Sequence, residues 1–148
     1  MPTSEPNISL TPRYEAVAAI LVVGNRYALQ HRDNRPDIAE PGRWGLFGGS
    51  IDSGEDPHRA IRREILEELY LDVATFSPLW RVLYYSPFGD AIVRTFVFSA
   101  DLSNDWPRHR LGEGQRTALF PIDDLPLDTV PLAQALLERH ASAMRAER

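Results

Sequence analysis

The sequence predicts a mixed α/β fold, α+β in type, in which helices pack against a largely antiparallel sheet. Strand-length apolar segments separated by turn residues occur through most of the chain. Two longer segments, one in the middle and one near the C-terminus, carry apolar residues at helical spacing. Strands with helices between them favour a domain in which helices cover the faces of a sheet.

The strand predictions begin with YEAVAAILVV, which has the composition of a buried strand and is followed by the tight-turn pair Gly24–Asn25. RYALQHR is its antiparallel partner, and a polar loop covers residues 33–43. The Gly48–Gly49 pair interrupts the next apolar segment, and the turn SPFGD joins two longer strands. The predicted strands are Tyr14–Val23, Arg26–Arg32, Trp44–Ile51 (as short pieces), Ala74–Tyr85, Ala91–Ala100 and Thr117–Phe120.

The clearest helix prediction starts after Asp56, a typical N-cap, with Pro57 in the first turn, where proline is tolerated. This helix extends to about Leu69. Its apolar stripe consists of Ile61, Ile65 and Leu69. A second amphipathic helix is predicted over Pro131–Arg145.

Length and composition limit the classes of function. The 148 residues suit one domain, and we predict a single domain over residues 1–148 with residues 1–12 as a flexible tail. The absence of cysteine excludes a disulfide framework, a thiolate metal site and a cysteine nucleophile. A net charge of −5 provides no general attraction for nucleic acid, so we expect no nucleic-acid partner.

The chain also shows no predicted membrane association. The N-terminal residues lack the basic and apolar regions of a signal peptide. The longest apolar run, Ala16–Val23, is too short to span a bilayer. We therefore expect a cytoplasmic protein with no membrane partner.

Three acids on the first predicted helix are the strongest chemical feature. At 100° per residue, Glu64, Glu67 and Glu68 lie within about one third of the helix circumference, beside the apolar stripe. Like-charged pairs at this spacing cost a few tenths of a kcal/mol each without a cation. Mg²⁺ is bound by a few carboxylates together with substrate phosphates. These residues alone also fit a solvated acidic face, so both interpretations remain open.

The wider pattern favours the metal site. Five residues separate Gly49 from Glu55, and seven more precede Arg63–Glu64. Glu67–Glu68 follows, with aliphatic Ile65 before it and aliphatic Leu71 after it. This segment, Gly49–Leu71, resembles the Nudix box of the Nudix hydrolase family, and the preceding WGLFGG is also typical of the family. Six fixed letters and two aliphatic positions match, which chance would give on the order of 10⁻⁸ per starting position.

The resemblance implies a Nudix-type α/β/α sandwich and assigns roles to individual residues. Glu64, Glu67 and Glu68 resemble the family's metal-binding acids, and the carbonyl of Gly48 resembles a further ligand. The implied cofactor is Mg²⁺, with Mn²⁺ as an alternative. The general base is either Glu64 or, on a distant loop, Glu113.

Two more box residues resemble a structural pair, in which Arg63 holds Glu55 and thereby fastens the loop to the helix. Gly49 allows the backbone to approach metal and phosphate. For substrate binding, we expect Arg32 to contact a phosphate, and Trp44 and Tyr84 to stack on a base. A surface arginine and core aromatics are the alternative interpretations.

The implied activity is Mg²⁺-dependent hydrolysis of a phosphoanhydride (pyrophosphate) bond in a nucleoside diphosphate linked to another moiety, such as a nucleotide sugar or ADP-ribose. One alternative is a nucleoside triphosphate pyrophosphatase that acts on modified nucleotides. Another is a non-catalytic Nudix-like nucleotide-binding module. The implied partner is a small-molecule nucleotide, and relatives are often homodimers.

One position departs from the family pattern, because Tyr70 stands where the box usually has glycine. That glycine ends the helix in a left-handed conformation. Tyrosine in this conformation would cost about 1–2 kcal/mol. We therefore expect the chain to leave the helix with a negative φ at Tyr70.

Overall fold

The computed structural model describes residues 11–147, so most of the predicted tail lies outside the described residues. Within this range the chain forms seven strands and two α-helices. In chain order these are β1 (Tyr14–Val23), β2 (Arg26–His31), β3 (Trp44–Gly45), β4 (Phe47–Ser50), α1 (Pro57–Leu69), β5 (Ser77–Ser86), β6 (Ala91–Asp101), β7 (Arg116–Phe120) and α2 (Pro131–Ala146). Among the described residues, no helix combines the length and apolar character needed to cross a membrane.

All predicted strands and both helices are present, and most bounds agree within a residue or two. The largest difference is at β5, which begins at Ser77 rather than Ala74. The apolar residues just before it serve another purpose: Leu71 and Phe76 pack into the core under α1. Their side chains therefore belong to the connection between α1 and β5.

The strands form one mixed sheet, as predicted. Its main path has the order β3-β2-β1-β6-β5, with β4 also paired to β1 and β7 to β2. β1 and β6 run parallel, and the other strand pairs described are antiparallel. The mixed, largely antiparallel sheet is therefore confirmed.

The central strand β1 is covered on both faces, which gives the sandwich two cores. Val17, Ala19 and Leu21 pack with the apolar stripe of α1. Ile20, on the opposite face, packs with Leu136 and other residues of α2. Neighbouring side chains of a strand point to opposite faces, so a run buried on both sides is apolar throughout.

Helix α1 begins as predicted. The Asp56 carboxylate accepts a hydrogen bond from the Arg59 N–H at 2.9 Å, which satisfies one free donor of the first turn. Pro57 occupies the first turn. This cap fixes the start of the helix and hence the positions of its acids.

The prediction for the end of α1 was wrong, because Tyr70 adopts the left-handed conformation with φ 56° and ψ 32°. Its N–H donates to the Leu66 carbonyl at 3.0 Å. The turn leaves the Glu68 and Leu69 carbonyls to accept hydrogen bonds from Gly112 and Arg110, at 2.8 and 2.9 Å. Tyr70 is 62 % exposed, so its ring is mostly in contact with solvent. Hydrogen bonding to a distant segment thus accompanies a conformation that local preference disfavours.

Candidate active site

Two acids of α1 are buried against the glycine pair of β4. Glu68 is 2 % exposed and Glu64 is 8 % exposed. The Gly48 N–H donates to Oε1 of Glu68 at 2.9 Å. A Cβ on Gly49 would lie 2.5 Å from Oε1 of Glu64, and one on Gly48 would overlap the Val17 carbonyl oxygen. The glycines therefore let the backbone approach both carboxylates closely.

The surroundings of these two acids disfavour negative charge. Burial raises the pKa of Glu68 well above its usual range, and the charges of Glu64 and Glu113 raise it further. Burial is also the largest cause of the raised pKa of Glu64, where Arg63 acts in the opposite direction. Glu113 lies on a loop that reaches the end of the same helix, where the Gly112 N–H donates to the Glu68 carbonyl at 2.8 Å. A site that concentrates negative charge in this way favours a bound cation.

The third helix acid, Glu67, is more exposed and contacts Arg63. Nη1 of Arg63 donates to Oε1 of Glu64 at 2.9 Å and to Oε1 of Glu67 at 3.0 Å. Within residues 11–147, no three acid or histidine side chains already form a metal-binding group. The positive charge that bridges the carboxylates of Glu64 and Glu67 is the guanidinium of Arg63.

Arg63 also forms the predicted contact with Glu55. Nε and Nη2 of Arg63 donate to the two carboxylate oxygens of Glu55 at 2.8 and 2.9 Å, and Nη2 also donates to the Ser50 carbonyl at 3.1 Å. Glu55 additionally accepts from the Asp52 N–H at 3.0 Å. Chiefly because of Arg63, the pKa of Glu55 falls to about 2. This two-point contact fastens the loop before α1 to the helix.

The residues fit a hard divalent cation. Glu64, Glu67, Glu68 and Glu113 offer only carboxylate oxygens, the ligand type that Mg²⁺ and Mn²⁺ prefer. Two of these groups are buried among like charges, which is unfavourable without a counter-charge. The carbonyl of Gly48 remains a predicted ligand.

A cavity of about 390 Å³ adjoins this acid cluster, because Gly48 and Gly49 are among its lining residues. Its volume lies in the range of small-molecule sites. Arg32 and Tyr84, two of the residues predicted to bind substrate, also line it. Burial raises the pKa of the Tyr84 hydroxyl.

Arg32 and Trp44 differ in their placement. Nε of Arg32 donates to the Ala39 carbonyl at 2.8 Å, so this side chain also anchors the loop before β3. Trp44 is 6 % exposed, lies parallel to the His31 ring at 4.7 Å and meets Phe120 edge-on. Trp44 belongs to the core that α2 covers rather than to the cavity wall. Of the two interpretations of Trp44, the structure supports packing.

Gln30, for which the sequence predicted no role, is 4 % exposed on β2. Its Nε2 donates to the Glu113 carbonyl at 3.2 Å. A hydrogen bond from Gln30 also acts to lower the pKa of Glu68. A polar residue that follows Ala28 and Leu29 inside an apolar strand was the available signal.

The mixed sheet and the buried acids of α1 point to one family of α/β domains. The chain belongs to the Nudix hydrolase family, because the family model for the NUDIX domain matches residues 12–141. Members of this family typically depend on a divalent metal and act on small nucleotides.

Named relatives are similar over part of the chain. The oxidized purine nucleoside triphosphate hydrolase of Mus musculus is 31 % identical over 85 residues, which cover 57 % of this chain and 53 % of that protein. The nucleoside triphosphatase NudI of Escherichia coli is 59 % identical over 29 residues, 20 % of this chain and 21 % of that protein. The matches thus span about half, or less, of the length of these curated relatives.

Solved structures match over more of the chain. A MutT NUDIX hydrolase from Burkholderia pseudomallei has a TM-score of 0.73 and 29 % identity, covering 84 % of this chain and 95 % of that one. The NUDIX domain of Shewanella oneidensis NrtR, crystallised with ADP ribose, has a TM-score of 0.73 at 20 % identity, covering 93 % of this chain and 94 % of that one. The second likeness concerns the fold alone.

Proposed function

We propose that the protein is a divalent-metal-dependent nucleoside triphosphate pyrophosphohydrolase that cleaves the bond between the α- and β-phosphates. The observation that carries this proposal is the position of Glu64 and Glu68. Both acids are buried, their charges are disfavoured, and the glycines they contact line a cavity large enough for a nucleotide. A phosphate chain with its cation would occupy the junction of cavity and acids.

The proposed metal ligands are Glu64, Glu67, Glu68 and the carbonyl of Gly48. When bound there, Mg²⁺ neutralises phosphate charge and makes water more acidic. Arg63 would hold the loop and the helix in register through Glu55, without contacting substrate. Arg32 and Tyr84 would bind the nucleotide in the cavity, as a phosphate contact and a base contact.

The general base in this proposal is Glu64 or Glu113. It takes a proton from the attacking water while the water oxygen bonds to phosphorus, and the bridging oxygen leaves with pyrophosphate. Glu64 is buried and hydrogen-bonded to Arg63, whereas Glu113 is exposed. Separate Glu64→Gln and Glu113→Gln variants assign the role: the base is the residue whose replacement lowers kcat more while cation binding is retained.

The names of the relatives support a triphosphate substrate over a nucleoside diphosphate conjugate. The mouse relative is named for oxidized purine nucleoside triphosphates, and the E. coli relative for nucleoside triphosphates. These names favour the triphosphate alternative over the nucleotide-sugar interpretation. We therefore propose purine nucleoside triphosphates, including oxidised ones, as the first substrates to test.

A substrate panel with product analysis tests this function. It contains oxidised and unmodified nucleoside triphosphates, ADP-ribose and a nucleotide sugar, each with Mg²⁺ and with excess EDTA. We expect at least one triphosphate to give monophosphate and pyrophosphate, with kcat/KM ten-fold or more above that of either conjugate. Faster cleavage of a conjugate would contradict the triphosphate proposal, and tight binding without turnover would indicate a binding module.

A further inference from the structure

The loop that carries Glu113 is docked onto the C-terminal end of α1. The Gly112 N–H donates to the Glu68 carbonyl at 2.8 Å, and the Arg110 N–H donates to the Leu69 carbonyl at 2.9 Å. These carbonyls belong to the last turn of the helix, which has no partners of its own for them. The backbone of Glu68 is thus bound to Gly112, the residue next to Glu113.

This docking depends on two unusual features of the chain. A Cβ on Gly112 would overlap the Glu67 carbonyl oxygen, so the loop reaches the helix only with glycine there. The same Cβ would lie 3.1 Å from Cε2 of Tyr70, so the tyrosine ring lies beside the loop. Helix α1 ends at the left-handed Tyr70, and the loop binds to the last residues before this end.

On its other side the loop is held by β2. The Gln115 N–H donates to the His31 carbonyl at 2.8 Å. The amide of Gln30 donates to the Glu113 carbonyl at 3.2 Å. This hydrogen bond ties the loop to a side chain that is buried in the sheet.

The docking opposes an electrostatic repulsion. Glu113 adjoins Gly112, which is bonded to the end of α1, so its negative charge lies on the same side as the acids of that helix. An exposed loop acid in this position would move away from two like charges if its backbone were free. The hydrogen bonds from Gly112 to Glu68 and from Gln30 to Glu113 keep the loop close to the helix, and a shared cation would offset the repulsion.

We propose that Gln30 is a positioning residue, which holds the backbone of Glu113 beside the end of α1 so that the loop acid and the helix acids face one cation together. The proposal rests on the proposed function, because Gln30 would act on the metal site that this function requires. Side chains that orient metal ligands typically account for 10–100-fold in metal affinity or activity. A buried amide that only satisfied local hydrogen bonds would affect stability alone.

Two substitutions at Gln30 test the proposal. Gln30→Met keeps the approximate volume and removes the amide, and Gln30→Asn keeps an amide but shortens its reach. Gln134→Met, at an exposed position of α2, is the matched control. The measurements are the dissociation constant for Mn²⁺ by calorimetry without nucleotide, kcat for the best triphosphate, and the melting temperature.

We expect both Gln30 variants to bind Mn²⁺ about ten-fold more weakly, or to lose kcat by that factor, while the control matches the wild type. In a Glu113→Gln background the same Gln30→Met change should cost less than about three-fold, because the two residues act as a unit. Equal losses in both backgrounds would overturn the inference.

The two proposals fail in different ways. If the wild type binds Mn²⁺ and hydrolyses a triphosphate, but the folded Gln30 variants do so equally well with only a lower melting temperature, the positioning role is wrong and the function stands. If the wild type neither binds the cation nor hydrolyses any nucleotide of the panel, the function is wrong and the inference falls with it.

Discussion

Replacing Tyr70 tests the left-handed end of α1 most sharply. A residue with a Cβ in this conformation costs about 1–2 kcal/mol, and glycine avoids that cost. Glycine also makes the unfolded chain more flexible, which costs about 0.4–1 kcal/mol. With φ at 56°, Tyr70→Gly should therefore be more stable than Tyr70→Ala by roughly 0.5–1 kcal/mol.

The alanine variant is the necessary control, since it lacks the ring but keeps the Cβ. The ring is mostly exposed and lies beside Gly112, so the wild type compared with Tyr70→Ala measures what that contact contributes. For a domain of this size the expected difference between the glycine and alanine variants is about 1–4 °C in melting temperature. Equal stability of the two variants, or a more stable alanine variant, would refute the left-handed conformation.

The remaining predictions concern charge and pH. Arg63→Ala should lower the free energy of unfolding by about 1–2 kcal/mol and reduce kcat, because the hydrogen bonds of Arg63 to Glu55 and to the helix acids are lost. The control is Arg62→Ala, which removes an exposed ion pair with Asp72 and should change neither quantity in the same assays. Glu68→Gln should raise the melting temperature in EDTA, since the charge of this buried acid is disfavoured, and should abolish any increase caused by Mg²⁺. Burial lowers the pKa of His140, so at low pH the unfolded chain binds more protons than the folded one. The free energy of unfolding should therefore fall as pH drops below about 6.5. Denaturant titrations of His140→Gln should show a smaller fall.

The sequence predicted what depends on local patterns. The Asp56 cap, the spacing of Ile61 and Ile65 and the box acids all lie within one helix, where the 3.6-residue period fixes which side chains share a face. β1 was predictable because a strand buried on both faces is apolar throughout. Glu64 and Glu68 could thus be placed together without a structure.

What the sequence could not predict depends on contacts between distant segments. The conformation of Tyr70 accompanies hydrogen bonding to a segment about forty residues further along the chain, at Arg110 and Gly112. The direction of Trp44 depends on the pairing of a two-residue strand with β2. The role of Gln30 becomes visible only when the Glu113 loop lies beside β2, since a buried amide has no local pattern of its own.

The central claim is that hydrolysis requires a divalent cation held by the buried acids of α1. The most direct test is the initial rate of pyrophosphate release from a nucleoside triphosphate, for the wild type and for Glu68→Gln, with Mg²⁺ and with excess EDTA. We predict that the wild type releases pyrophosphate with Mg²⁺ but not in EDTA, and that the rate of Glu68→Gln with Mg²⁺ is lower by at least two orders of magnitude. Release by the wild type in EDTA, or an unchanged rate for folded Glu68→Gln with Mg²⁺, would contradict the claim.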